Sequence, residues 1–493
     1  MQNELIKNID LALSSLEMNL IKEVNKRKRV ISHLPHSQKL SAINLVKYLT
    51  LRNVDLKGLQ NNLHEMGLSS LASSEGHIHR QLQAIRERLG KNYKEQELDP
   101  CDVLWSTETM KNKTRSLFGE KETEDQPYIM VTFDASFVND YPFIKNLLMN
   151  GMNVARINCA HDDESVWESL IQLIKKACTK TGKSCRIYMD LAGPKIRTNI
   201  INKGQKKGRV KVKEGDVIWL SESNEGFAKK DIVISPNETG ILSKLKKGDR
   251  VFIDDGVIKG IAEFIKGDKV GIRLMRISSE KKQIKAEKGI NFPDTELDVS
   301  PLTEFDKACI PFICENADIV GYSFVRNPSD IVFLDSIIKQ TGKKHPLYVF
   351  KIETPQAVKN LPDILFEGMK HEIFGIMIAR GDLAVEIGFE RMGEIQEEIL
   401  WICEAAHVPV IWATQVLENL NKSGLATRSE ITDAGHAAQA ECIMINKGPH
   451  TIKVLSTLKN ILKRTAEHKV KKRFTFRPLN IARNFIQGKN NFE

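Results

Sequence analysis

An α/β fold, a TIM-type (β/α)8 barrel carrying a small all-β insert and preceded by a helical extension, is what the sequence predicts, on three observations. Eight short apolar runs recur from Tyr128 to Asn446. Stretches with helical spacing separate most of them, the rhythm of βα units feeding a parallel sheet. One interval, after Arg197, is instead dense in Gly, Lys and short alternating strands, the composition of a small β unit. Length agrees: 493 residues, at roughly 150 per domain, leave room for about three structural units.

Taken in order, residues 1–120 read as a helical accessory domain with a linker. LSSLEMNLIKEVNKR, KLSAINLVKYLTLR and GHIHRQLQAIRERLG space their apolar residues three and four apart, and the last ends at Gly90. Asp99-Pro100 and the charged, uneven stretch Ser106 to Gln126 sustain neither helical nor strand periodicity and predict the linker. Residues 121–198 hold the first part of the barrel, with YIMVTF, NVARINCA and RIYMDLA as strands and FIKNLLMNG and VWESLIQLIKKAC as helices. Residues 199–289 form the insert, with RVKVKEGDVIWL, DRVFIDDGVIKGIAEF and VGIRLMRI as alternating strands. Residues 290–466 complete the barrel through ADIVGYSFV, PLYVFKIE, IFGIMIAR, VPVIWATQ and ECIMIN, and 467–493 are a basic tail. A doubly wound open sheet is disfavoured because no G-x-G-x-x-G turn follows the first strand.

Composition narrows the class. Hydrophobic residues at 41% and charged residues at 28% suit a globular protein with a sizeable core. No apolar run approaches the roughly 20 residues needed to span a bilayer, and MQNELIKN lacks the apolar stretch of a secretory signal, so a cytoplasmic protein without a membrane partner is expected. The eight cysteines include no pair two residues apart and read as reduced, packed thiols. Net charge is +10, but residues 459–493 alone carry ten Lys or Arg against Glu467 and Glu493. That local basicity, without nucleic-acid motifs or interleaved aromatics, does not predict nucleic-acid binding.

In such barrels the active site is built at the carboxyl ends of the strands. Those ends supply Thr132, Arg156 with Asn158 and His161, Asp190 with Lys195 and Arg197, Ser323 and Arg326, Lys351 with Glu353, Arg380 with Asp382, and Thr414. Singly, each has a plain structural explanation: Lys351 could be a solvated strand end, Arg156 could merely pair with Asp190, and Thr414 could cap a helix. Jointly, they place several cations around two carboxylates. Arg and Lys neutralise the oxygens of a moving phosphoryl group, and Glu353 with Asp382 could share one hard divalent ion, Mg2+ or Mn2+. Phosphoryl transfer is the reaction class predicted.

GMNVARINCAHDD, MDLAGPKIRT, VFIDDG, KGINFP, YSFVRNPSD, KIE, IMIARGDLAVEI, ATQVLENL and TRSEITDA occur in the order found in pyruvate kinases, and over residues 128–445 the chain resembles that family. The resemblance implies that the insert is a β-barrel lid over the site. It implies catalytic roles for Lys351, Arg156 and Thr414, metal ligation by Glu353 and Asp382, and substrate contacts from Arg156, Lys351, Gly381, Asp382 and Thr414. Thr132, Asn158, His161, Arg197 and Lys288 match positions near the nucleotide. The implied reaction carries the phosphoryl group of phosphoenolpyruvate to ADP, giving pyruvate and ATP with a divalent metal.

Departures from the family pattern carry expectations of their own. Where family members have oxygen ligands for a monovalent cation, this chain has Ala160, Leu191 and Lys195; the Lys195 ammonium, with Asp190, stands in for K+, so no K+ requirement is expected. The first-strand motif is TFDAS where family members usually have Thr-x-Gly-Pro-Ala-Ser, so Asp134 is expected to disturb the nucleotide contacts made there, and the turn after the eighth strand is INKGPHT. The chain ends soon after the eighth helix, so sugar-phosphate allostery through a C-terminal domain is not expected. The N-terminal helices are the expected surface for a homo-oligomer or protein partner. Two other readings stay open: a metal-dependent lyase or other transfer acting on phosphoenolpyruvate or a 2-oxo acid, and a non-catalytic regulatory or binding protein that retains the barrel.

Overall fold

Side chains on a strand alternate between its faces, so a closed parallel barrel fills with every second residue of each strand. The computed structural model describes residues 2–121, 126–278, 280, 282–295, 297, 299–466, 469–470 and 473–474. Its eight barrel strands are β1 (Tyr128–Phe133), β2 (Val154–Asn158), β3 (Arg186–Asp190), β4 (Ile319–Tyr322), β5 (Leu347–Ile352), β6 (Phe374–Ala379), β7 (Val410–Ala413) and β8 (Cys442–Ile445). All pairs are parallel and β8 closes on β1. These are the eight runs expected. Tyr128, Met130, Val154, Tyr188, Ile319, Val349, Met377, Ile411, Cys442 and Met444 fill the interior below the mouth. Register then lifts a polar layer above them, with Thr132 beside Arg156 and Asn158 beside Asp190.

Helices wrap the outside. Capping boxes start three of them, Thr303 with Asp306 before Glu304–Asn316, Asn327 with Asp330 before Pro328–Gln340 and Thr427 with Glu430 before Arg428–Ala437. Asp306 also accepts from the Gly193 amide at 3.2 Å, tying the loop after β3 to the outer layer.

The helical extension contains α1 (Gln2–Lys26), α2 (His36–Arg52), α3 (Ile78–Arg88) and α4 (Val103–Phe118). α4 corrects the expected linker. Asp102 caps it by accepting from the Trp105 amide at 2.8 Å. Its buried positions, Ser106, Met110, Lys113, Thr114, Leu117 and Phe118, do follow helical spacing. Half of them are polar, which hides the period from any hydrophobicity count. Leu117 and Phe118 enter the barrel's interior cluster at 0% and 1% exposure, holding α4 against the strand starts by about 1.5–3 kcal/mol each. The extension is no separate body: Ile9, Leu13, Leu45 and Leu82 belong to the same hydrophobic core as the barrel helices. Polar links cross the seam too, Gln38 donating to the His371 and Glu372 carbonyls and Asn44 to the Ala405 carbonyl.

Between β3 and β4 stands a seven-stranded, mostly antiparallel sheet with its own hydrophobic core around Ile218, Ile234, Val251 and Ile272. Its strands run from Thr198–Ile200 to Ile290–Asn291. The sheet meets the barrel where Asn291 donates to Glu386 Oε1 at 2.8 Å. Gly256 lies so near Phe389 and Val385 that a Cβ there would be 3.4 Å and 3.5 Å from them. The predicted basic tail lies outside the described residues, apart from the short paired strands Lys469–Val470 and Arg473–Phe474.

Candidate active site

Asp190 is the hub of the barrel mouth. Its carboxylate is fully buried and accepts from Arg156 Nη2 at 2.5 Å, Arg156 Nε at 3.1 Å and Lys351 Nζ at 3.1 Å. Tyr188 donates its hydroxyl to the other oxygen at 3.3 Å. Burial alone would raise the Asp190 carboxyl, but Lys351 and Arg156 hold it below its ordinary value. Arg156 also donates to Thr132 Oγ1 at 3.1 Å, joining β1, β2 and β3 in one network.

Lys351 is 7% exposed, so the solvated alternative is excluded. Its ammonium donates to Ser323 Oγ at 2.7 Å and lies 3.3 Å from Glu353 Oε1. Burial disfavours the charge, but Asp190 and Glu353 more than offset that and raise the group above its ordinary value. Two glycines make this packing possible. A Cβ on Gly321 would fall 2.0 Å from the Tyr188 hydroxyl and 2.3 Å from Asp190 Oδ1. One on Gly193, at φ +70°, would fall 2.8 Å from Ser323 Cβ.

Glu353 accepts from the Phe324 amide at 2.6 Å. Burial pushes its carboxyl up, Lys351 pulls it back, and the charge of Asp382 adds to the rise. Two carboxylates held near each other in a dry site oppose one another's ionisation, a conflict that a hard cation between them relieves. The donor set therefore fits a divalent ion, although no group of three or more His, Cys, Asp or Glu gathers among the described residues. Asp382 pairs with Lys195 at 2.8 Å, and Lys195 reaches Asp255 of the inserted sheet at 3.3 Å. Burial works against the Lys195 charge, but Asp382 and Asp255 keep it raised.

Thr414 is a β-branched residue at φ +66°, followed by Gln415 at +58°. Such residues rarely adopt this conformation, and surrounding contacts must hold it. Arg380 does so, donating to the Thr414 carbonyl at 2.5 Å and the Ala413 carbonyl at 3.0 Å while pairing with Asp433 at 2.5 Å and stacking over Trp412 at 4.6 Å. Arg380 is thus spent on the turn rather than offered to a phosphate. The turned hydroxyl accepts from the Gly381 amide at 2.9 Å.

The remaining expected residues lie toward β1, β2 and the insert. Asn158 accepts from the Ala160 amide at 3.1 Å. His161 is kept below its ordinary value by burial and by the cations Lys447 and Arg197. Arg197 donates to the Glu287 carbonyl at 3.1 Å, and Lys288 pairs with Asp254 at 2.8 Å, so both are engaged by the inserted sheet. Tyr188, Gly321 and Lys447 escaped sequence reasoning; only their inward strand parity or strand-end position marked them.

Fold and mouth together define a (β/α)8-barrel protein with an inserted β sheet and a buried cation–carboxylate centre. Residues 128–449 match the family model "Pyruvate kinase, barrel domain", and the chain belongs to the pyruvate kinase family. It is 32% identical over 332 residues to a pyruvate kinase of Thermotoga maritima, covering 66% of this chain and 68% of that protein. It is 29% identical over 327 residues to one from Staphylococcus saprophyticus (64% of this chain, 53% of that protein). With one from Geobacillus stearothermophilus it shares 30% over 329 residues (65% and 54%). The chain thus spans about half the length of the last two relatives. No helix among the described residues is long and apolar enough to cross a membrane.

Proposed function

We propose that this protein transfers the phosphoryl group of phosphoenolpyruvate to ADP, forming pyruvate and ATP. The observation that carries the reading is the buried Lys351 ammonium, in contact with Asp190, Ser323 and Glu353 and linked through Asp190 to Arg156. A phosphoryl group in transit spreads charge over three oxygens, and preorganised cations in a dry site stabilise it without reorganising. Lys351 and Arg156 take that role. Glu353 and Asp382 hold Mg2+ or Mn2+, which when bound neutralises further phosphate charge. Thr414, with the Gly381 amide at a helix start, positions the substrate carboxylate. Thr132, Asn158, His161, Arg197 and Lys288 serve the nucleotide side, and the inserted sheet, as a lid, brings the last two.

Lys195 supports a K+-independent reaction, because its ammonium already pairs with Asp382 and Asp255. The test is pyruvate formation from phosphoenolpyruvate in a coupled assay, with ADP, Mg2+ and K+ each omitted in turn. Turnover that needs ADP and Mg2+ supports the reading, and pyruvate formation independent of ADP overturns it.

A further inference from the structure

Where the inserted sheet returns to the barrel, one buried side-chain amide lacks half its partners. Ile290 and Phe292 both point into the sheet's own hydrophobic core, each at 3% exposure. Strand parity turns Asn291, between them, the other way and toward the barrel. It is 5% exposed; its Nδ2 donates to Glu386 Oε1 at 2.8 Å, while its Oδ1, also buried, has no hydrogen-bond partner. Glu386 lies in the helix Arg380–Ile387, four residues after Asp382 and so on the same face one turn on. The insert thereby reaches the helix of an expected metal ligand by a second route, besides the chain from Asp255 through Lys195 to Asp382.

An apolar side chain at 291 would hold such a seam by burial alone, without the cost of taking an amide out of water. A hydrogen-bonded pair adds direction, which fixes how the two bodies are turned. The pair is also half made. A second bond forms if Glu386 presents a proton to Asn291 Oδ1, giving an acid–amide ring in which each group both donates and accepts. The surroundings favour the acid: burial pushes the Glu386 carboxyl up to about 7, with Asp382 and Asp294 adding to the rise while the Asn291 amide and Arg250 oppose it. Arg250 is itself engaged by Asp294 at 2.6 Å.

We propose that Glu386 is a positioning residue: through Asn291 it sets the angle of the inserted sheet over the barrel mouth, and with it the reach of Arg197 and Lys288 toward the Lys351 centre. Glu386 acts through Asn291 rather than on substrate. A displacement of about 1 Å in groups that hold a substrate is enough to cost roughly a hundredfold in rate, so a seam contact remote from the chemistry can govern it. The consequence for turnover rests on the phosphotransferase reading; the pair itself does not.

The experiment uses the full chain and the variants Glu386→Ala, Glu386→Gln, Asn291→Ala and the double variant Asn291→Ala/Glu386→Ala. Two readouts are taken: kcat with KM for each substrate, and hydrogen–deuterium exchange of residues 254–258 and 384–391, on either side of the seam. Glu386→Ala should speed seam exchange and raise KM for ADP about fivefold or more, the scale of one lost hydrogen bond. KM for phosphoenolpyruvate should move less, because Thr414 and Gly381 belong to the barrel. Glu386→Gln should stay within about twofold of wild type, since its amide accepts from Asn291 Nδ2 and donates to Oδ1. Asn291→Ala should match Glu386→Ala, and the double variant should be no worse than either, as for groups acting through one contact. Asn291→Ala carries the same test should Glu386→Ala not fold. Wild-type KM and exchange in the alanine variants, or a Glu386→Gln as impaired as Glu386→Ala, overturns the proposal while leaving the phosphotransferase reading intact. If the wild type does not turn over, that reading fails alone and exchange still decides the pair: a seam loosened by either alanine and kept by glutamine supports it, and an unchanged seam overturns it.

Discussion

Replacing Lys113 by methionine should make the protein more stable, by an amount the structure sets. Its ammonium lies in the seam between α4 and α2, 6% exposed, and its hydrogen bonds go to neutral partners, Gln38 Oε1 at 2.6 Å and Ser41 Oγ at 3.1 Å. Burial pushes the group from 10.5 down to about 7. At ~1.36 kcal/mol per pH unit, that displacement is a penalty on the order of 4–5 kcal/mol at neutral pH and below. Methionine removes the penalty but leaves two polar atoms short of a partner, which together cost ~1–3 kcal/mol and leave a net gain of about 1–4 kcal/mol. The pH dependence has a definite sign. Between about 7 and 10.5 the unfolded chain holds a proton that the folded chain has lost, so wild-type stability rises with pH across that window. The advantage of Lys113→Met is therefore complete at pH 7 and below and shrinks toward 10.5. Urea denaturation followed by circular dichroism near pH 6.5 and near pH 9.5 reads both effects. A lower midpoint for the variant near pH 6.5, or an advantage undiminished near pH 9.5, would refute the reasoning.

Lys351→Met should lower kcat by roughly a hundredfold to a thousandfold in the coupled pyruvate assay while the protein stays folded, the scale of losing a central electrostatic stabiliser; near-normal turnover would sink the assignment. Wild-type activity should be flat when KCl is titrated at constant ionic strength, whereas Lys195→Glu should become K+-activated; steep activation of the wild type would contradict the substitution of an ammonium for K+. His79, buried between Asp99 and Glu17, is disfavoured as a cation by burial but raised overall by those two carboxylates. Its stabilisation is complete below the unfolded value near 6.5 and lost as pH climbs through the higher folded value, so the gap in urea midpoint between wild type and His79→Gln should narrow with rising pH; a constant gap would argue against it.

The barrel was legible because its strands are continuous apolar runs ending in polar groups, which is what burial on both faces demands. Lys351, Glu353, Arg156 and Asp190 were legible for the same reason, since strand ends are where charge can survive in such a fold. α4 was not, because Ser106, Lys113 and Thr114 occupy buried positions that a hydrophobic pattern reserves for apolar residues. Arg380 looked like a phosphate ligand until its partners appeared: Asp433 comes from a different helix, and no local pattern announces that pairing. Gly321 and Tyr188 read as ordinary strand filling, yet the space one leaves is what the other and Asp190 occupy. The Asp134–Lys447 pair joins opposite ends of the barrel sequence, and only closure of β8 on β1 makes them neighbours.

Because α1 to α4 and the barrel helices bury one continuous hydrophobic core, the barrel is not a portable part. Trimming the gene to the residues that match the family would strip an oily flank bare, and the product would be expected to clump or to need detergent. A dead fragment obtained that way would report on its torn surface and say nothing about its chemistry.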